Sequence, residues 1–108
     1  MKYRTLGKTG YEVSEISLGA WQIGGRWGEP FNEKTAEETL HRAIEAGVTF
    51  VDTADGYGGG LSERVVGRVV RGTGGRVRFA TKCGRRLNPH VAEGYTAENI
   101  RGFVEDSL

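Results

Sequence analysis

The feature that most constrains this chain is an alternation. Three short β-prone runs, at residues 16–19, 48–52 and 77–82, are each followed by a stretch of helical periodicity. Strands that alternate with helices of this length pair in parallel through right-handed crossovers, so the expected class is α/β. Ahead of the alternation, residues 3–6 and 11–13 flank Gly7-Lys8-Thr9-Gly10, a turn whose glycines tolerate positive φ. That arrangement predicts an N-terminal β-hairpin.

The three helices carry distinct boundary signals. In the first, Ala36, Leu40, Ala43 and Ile44 share a face, Thr35 and Glu38 match a capping box, and Gly47 supplies a stop. The second is expected to start at Ser62 as N-cap, bury Val65, Val66, Val69 and Val70, and end at Gly72. Its β-branched valines weaken intrinsic helix propensity, so the apolar stripe carries the assignment. The third starts near Thr96 and sets Ile100, Phe103, Val104 and Leu108 on one face. A Gly- and Trp-containing loop at residues 20–31 joins the first strand to the first helix.

The third helix is still running when the 108 residues end. A closed (β/α)8 barrel takes about 250 residues. The expectation is therefore one incomplete domain over 1–108, namely the hairpin and the first three βα units of such a barrel. Its sheet would keep two unpaired edges, which invite aggregation or pairing with another chain.

Composition narrows the partners. Net charge is +1, which provides no global field for nucleic acid or an anionic membrane. Arg71, Arg76, Arg78, Arg85 and Arg86 form a local cluster, read as solvated charge at loops and strand ends. Cys83 is the single cysteine, so an internal disulfide and a paired-cysteine zinc site are both excluded, and no metal site is expected. Beside Lys82 it is either a reactive thiol or, the preferred reading, a small buried strand-end residue. The N-terminal residues lack the apolar run of a signal peptide or membrane span, and a cytoplasmic location is expected.

Asp52 ends the second strand run, Tyr57 follows in the next loop, and Lys82 ends the third. In parallel α/β architectures the carboxyl ends of strands are where ligands bind, so the three side chains belong to one rim. Taken singly, each reads better as something ordinary: Asp52 as a loop cap, Tyr57 as a packing residue and Lys82 as a solvated charge. Together they make a proton donor. A phenol of ordinary pKa near 10 donates poorly at neutral pH until a cation stabilises its phenolate. Lys82 is such a cation, and Asp52 would keep it charged and aimed. Tyr57 then becomes a general acid towards a carbonyl oxygen.

The run Asp52-Thr53-Ala54-Asp55-Gly56-Tyr57-Gly58, followed by Gly60-Leu61-Ser62-Glu63, resembles the signature of the aldo-keto reductase superfamily. Arg4-Thr5-Leu6-Gly7-Lys8-Thr9-Gly10, Leu18-Gly19-Ala20-Trp21, Ala46-Gly47-Val48 and Ala80-Thr81-Lys82 add further matches in the expected order over nearly the whole chain. The pattern is similar to the bacterial-type reductases and to the related auxiliary subunits of potassium channels. The resemblance implies a (β/α)8 barrel that reduces aldehydes or ketones to alcohols with a nicotinamide cofactor. NADPH is the family's usual cofactor, with NADH the alternative. The resemblance implies Tyr57 as proton donor, Lys82 as its pKa-lowering partner and Asp52 as the carboxylate on Lys82. It further implies that Gly19, Ala20, Trp21 and Gln22 form the loop against the cofactor, that Asp52 touches its ribose, and that Trp21 and Tyr57 line the substrate pocket. The resemblance also implies a catalytic His at the end of the next strand, which would follow Leu108. His90 and His41 read as surface residues instead.

Other readings have less behind them. Gly58-Gly59-Gly60 matches neither the dinucleotide pattern G-x-G-x-x-G nor a P-loop, and reads as a flexible turn that lets Tyr57 reach over the barrel mouth. Asp52 and Glu63 form a candidate pair of hydrolase carboxylates, although Glu63 in a first helical turn is favoured by the macrodipole anyway. A cofactor-binding or interaction module without catalysis, or a barrel fragment that works only with its C-terminal portion or by self-association, is the alternative function.

Overall fold

The computed structural model describes residues 1–25 and 29–108, so positions 26–28 of the expected 20–31 loop lie outside the described residues. β1 (Tyr3–Thr5) and β2 (Glu12–Ser14) pair antiparallel, with Arg4 opposite Val13. The turn between them closes through Leu6 N–H donating to the Tyr11 carbonyl at 2.8 Å. The hairpin expected from the sequence is present.

β3 (Leu18–Gly19), β4 (Phe50–Asp52) and β5 (Arg78–Ala80) form a parallel sheet in the order β3-β4-β5. They alternate with α1 (Glu33–Glu45), α2 (Leu61–Arg71) and α3 (Ala97–Ser107), as the sequence predicts. Each of these three strands is shorter than its β-prone run. Ile16 is 63% exposed, and its carbonyl accepts from Ser14 Oγ at 2.6 Å, so the chain bends there before joining the ladder.

Helix starts differ from expectation at two places. The α1 N-cap is Asn32, whose side chain accepts from Thr35 N–H at 3.0 Å, so Thr35 lies within the first turn rather than capping it. An Asn side chain reaches the third helical N–H as well as Thr does, and it stands three residues earlier. The α2 N-cap is Gly60 in the left-handed region (φ 100°), and Ser62 lies inside the first turn, fully buried. A left-handed backbone at residue 60 fixes the helix entry without any side-chain cap.

The core lies between the sheet and α1 and α2. Val51 from β4, Ala36 and Leu40 from α1, and Val65, Val66, Val69 and Val70 from α2 are buried together with Ala20 and Val77. Burial of the valine stripe outweighs the weak helix propensity of those residues. Register decides what each face does. Val51 pairs with Phe79 and points toward the helices, whereas Gly19, Asp52 and Ala80 pair in a row at the carboxyl ends and point the other way.

α3 holds no buried residue. Its N-cap is Thr96, where the sequence places the helix start, but Ile100, Val104 and Leu108 are exposed. Phe79 is exposed as well, at the floor of a cleft lined also by Leu61, Val65, Asp106 and Leu108. Among the described residues no element covers that apolar surface.

Candidate active site

Parallel register builds the site. It aligns Gly19, Asp52 and Ala80, and Lys82 follows two residues after Ala80, on the Asp52 side of the sheet. Tyr57 comes from the turn after β4. Its N–H donates to the Ala54 carbonyl at 3.2 Å, and the 3-10 turn Tyr57–Gly60 carries it back over the strand ends. Gly58 and Gly59 in that turn have φ of 61° and 64°, which only glycine adopts at little cost. The turn also touches another one closely. A Cβ on Gly24 would lie 2.8 Å from the Tyr57 carbonyl carbon, and one on Gly58 would overlap the Gly24 carbonyl oxygen. The glycines expected to make a flexible turn thus also let the Tyr57 turn and the 22–24 turn meet backbone to backbone.

The three residues singled out in the sequence come together. Lys82 Nζ donates to Asp52 Oδ2 at 2.6 Å, to the Thr53 carbonyl at 2.8 Å and to Tyr57 Oη at 3.3 Å. An ammonium has three N–H groups, so all of its donors are in use. Tyr57 Oη accepts from Lys82, which leaves the phenolic hydrogen free to be donated elsewhere. The hydrogen bond to Asp52 is the main reason the Lys82 pKa is raised from 10.5; partial burial opposes it, and Tyr57 adds to it. Lys82 is therefore a cation throughout the neutral range.

The expected cofactor loop has two characters. Gly19 faces open space on the Asp52 side, and Trp21 and Gln22 are exposed, Trp21 by 57%. Ala20 is fully buried; its N–H donates to the Asp52 carbonyl at 2.8 Å and its carbonyl accepts from Ser62 Oγ at 2.9 Å. Glu63 accepts from Thr81 Oγ1 at 2.5 Å while Asp52 is held by Lys82, so these two carboxylates serve different partners. His90 and His41 are exposed; His90 Nε2 lies 2.8 Å from Tyr95 Oη. Cys83 is exposed rather than buried, because β5 ends at Ala80 and residue 83 lies in the loop beyond it. The clustered arginines are exposed, with Arg78 stacked 4.3 Å above the Tyr11 ring.

Two contributors escaped the sequence reading. The Thr53 carbonyl is a backbone group and has no signature of its own. Ser62 carries a signal that fits a helix start equally well, and only the fold shows its hydroxyl turned inward.

Residues 15–108 match the Aldo/keto reductase family, and the chain belongs to it. It is 44% identical over 84 residues to the aldo-keto reductase YhdN of Bacillus subtilis, covering 76% of this chain and 25% of that protein. It is 35% identical over 113 residues to L-galactose dehydrogenase of Arabidopsis thaliana, covering 100% and 34%. A probable voltage-gated potassium channel subunit beta of rice (Oryza sativa subsp. japonica) is 37% identical over 112 residues, covering 97% and 33%. The fold matches the holo form of aldo-keto reductase AKR11C1 from Bacillus halodurans with a TM-score of 0.80 and 30% identity, over 100% of this chain and 35% of that one. It also matches an aldo-keto reductase from Klebsiella pneumoniae in complex with NADPH, with a TM-score of 0.70 and 27% identity, over 92% and 31%. The chain thus spans between a quarter and about a third of the curated relatives. Among the described residues no helix is long and apolar enough to cross a membrane.

Proposed function

We propose that this chain supplies the proton-donating part of an NADPH-dependent site that reduces aldehydes or ketones to alcohols. The observation that carries this reading is the Lys82 ammonium, shared among Asp52, the Thr53 carbonyl and Tyr57 Oη while the Tyr57 hydrogen stays free. The bare backbone of Gly19 and the exposed Trp21 and Gln22, beside Asp52 in the strand register, suit a flat nicotinamide and its ribose. When bound, that cofactor supplies the hydride for the carbonyl carbon.

Tyr57 gives its proton to the carbonyl oxygen as charge builds there. Lys82, already donating to Tyr57 Oη, stabilises the phenolate left behind. Asp52 keeps Lys82 charged and directed at Tyr57. Trp21 forms an apolar wall for the rest of the substrate, a small carbonyl compound.

The test is NADPH oxidation with a reactive aromatic aldehyde, followed by nicotinamide absorbance, with Tyr57→Phe alongside. Tyr57-dependent turnover supports the proposal. NADPH binding by fluorescence without turnover would assign the chain to a cofactor-binding module instead.

A further inference from the structure

Behind the Lys82 cluster, a buried chain of hydroxyl groups crosses from one strand end to the next. Thr53 and Ser62 are both 0% exposed, and their hydroxyl oxygens lie 2.8 Å apart. Ser62 Oγ lies 2.9 Å from the carbonyl oxygen of Ala20, which is also 0% exposed. A serine hydroxyl has a single hydrogen, and a carbonyl can only accept. Ser62 therefore donates to Ala20, and Thr53 must donate to Ser62. The direction of the chain is fixed as Thr53 O–H to Ser62 O–H to Ala20 C=O.

Both ends meet groups with a part in the proposed reaction. The Thr53 carbonyl is one of the three acceptors on Lys82 Nζ, and Thr53 N–H donates to the Ala80 carbonyl at 2.8 Å. Ala20 N–H donates to the Asp52 carbonyl at 2.8 Å, and Trp21 and Gln22 follow directly. Nothing in α2 itself asks for a hydroxyl at residue 62, since Gly60 occupies the N-cap position. A buried hydroxyl is costly unless paired, and this one is paired across elements rather than within its helix.

We propose that Ser62 and Thr53 are positioning residues whose hydroxyl chain locks the 19–22 loop to the strand end that holds Lys82. This rests on the proposed function, because it assigns the lock the task of keeping the cofactor-facing loop and the proton donor at one fixed separation. Neither hydroxyl touches the reacting atoms. Their effect passes through Ala20 on one side and the Thr53 carbonyl on the other.

The experiment compares Thr53→Val, which keeps the shape and removes the hydroxyl, with Thr53→Ser, which keeps the hydroxyl and removes a methyl. Ser62→Ala is added as an independent break in the chain. Nuclear magnetic resonance on the full chain reads the Lys82 ammonium nitrogen and the hydrogen exchange of the Ala20 amide. Steady-state kinetics with NADPH and the aldehyde read kcat and KM. Thr53→Val and Ser62→Ala are expected to speed Ala20 exchange, shift the Lys82 signal and lower kcat by about 10- to 100-fold with little change in KM for the aldehyde. Thr53→Ser should do less on every readout. The reverse ranking, with Thr53→Ser the more damaged, would show that methyl packing matters and overturn the proposal. If the unmodified chain lacks Tyr57-dependent turnover, the proposed function fails, while the exchange rates and the Lys82 signal still decide whether the hydroxyl chain positions the loop.

Discussion

Lys82 is half exposed, yet all three of its protons are committed, so its substitution tests the site more directly than any other. Lys82→Met is expected to lower turnover by at least about 100-fold, the lower end of what a positioned general acid contributes. Tyr57→Phe should lose a similar factor or more and keep NADPH binding, measured by fluorescence. The ion pair also sets a pH dependence. The Lys82 pKa is raised on folding, chiefly by its hydrogen bond to Asp52, so the stabilisation is complete below the ordinary value of 10.5. It is lost as pH rises through the higher folded value. Urea unfolding from neutral to strongly alkaline pH should show a decline that is weaker in Asp52→Asn; an identical slope in both would refute the coupling. The size is small, because Lys82 and Asp52 are 50% and 44% exposed and water screens them. At this scale the sequence revealed the side chains of the trio, because each is a chemically distinctive type at a strand end or in the loop after one. It hid the Thr53 carbonyl and the inward Ser62 hydroxyl, because a backbone group has no letter and a serine near a helix start has two uses.

Elements were legible where periodicity was strong. The hairpin, the three parallel strands and the three helices follow from turn glycines and apolar spacing, whereas helix starts depended on which of several polar residues made the bond. Asn32 competed with Thr35, and a left-handed Gly60 displaced Ser62 as the cap. The contact between the Tyr57 turn and the 22–24 turn was not legible, since a run of glycines says that the backbone is permitted to bend but not what it bends against. That contact has a measurable consequence. Gly58→Ala would force a side chain into the left-handed region and against the Gly24 carbonyl. It should cost about 1–3 kcal/mol in denaturant unfolding, and it should move Tyr57 enough to lower turnover. Leu40→Ala, at a site 0% exposed between α1 and the valine stripe of α2, should cost about 2–5 kcal/mol without altering the ratio of kcat to KM per folded molecule. The contrast between the two separates a lost site geometry from lost core packing.

For the whole molecule the balance between covered and uncovered surface matters most. α1 and α2 cover the helix-facing side of β4, but on β5 the corresponding position, Phe79, is 47% exposed. Ile100 and Val104 on α3 are 39% and 50% exposed, close enough in sequence to share a helical face. β5 has β4 on one side and no strand on the other among the described residues. An open strand edge beside uncovered apolar side chains is a template for another chain. This 108-residue chain is therefore expected to self-associate, with a sedimentation coefficient that rises with concentration. Phe79→Lys puts a charge on the exposed face of that edge strand, which should shift the association to higher concentration by at least about tenfold, the equivalent of about 1.4 kcal/mol. Folding stability at low concentration should change little, since the side chain is already half in water. Supplying the remaining barrel of a relative in trans should compete with self-association in the same sedimentation measurement if both cover the same surface. Concentration-independent monomers in the unmodified chain would mean that the exposed edge is protected in some other way, and would overturn self-association as the fate of this surface.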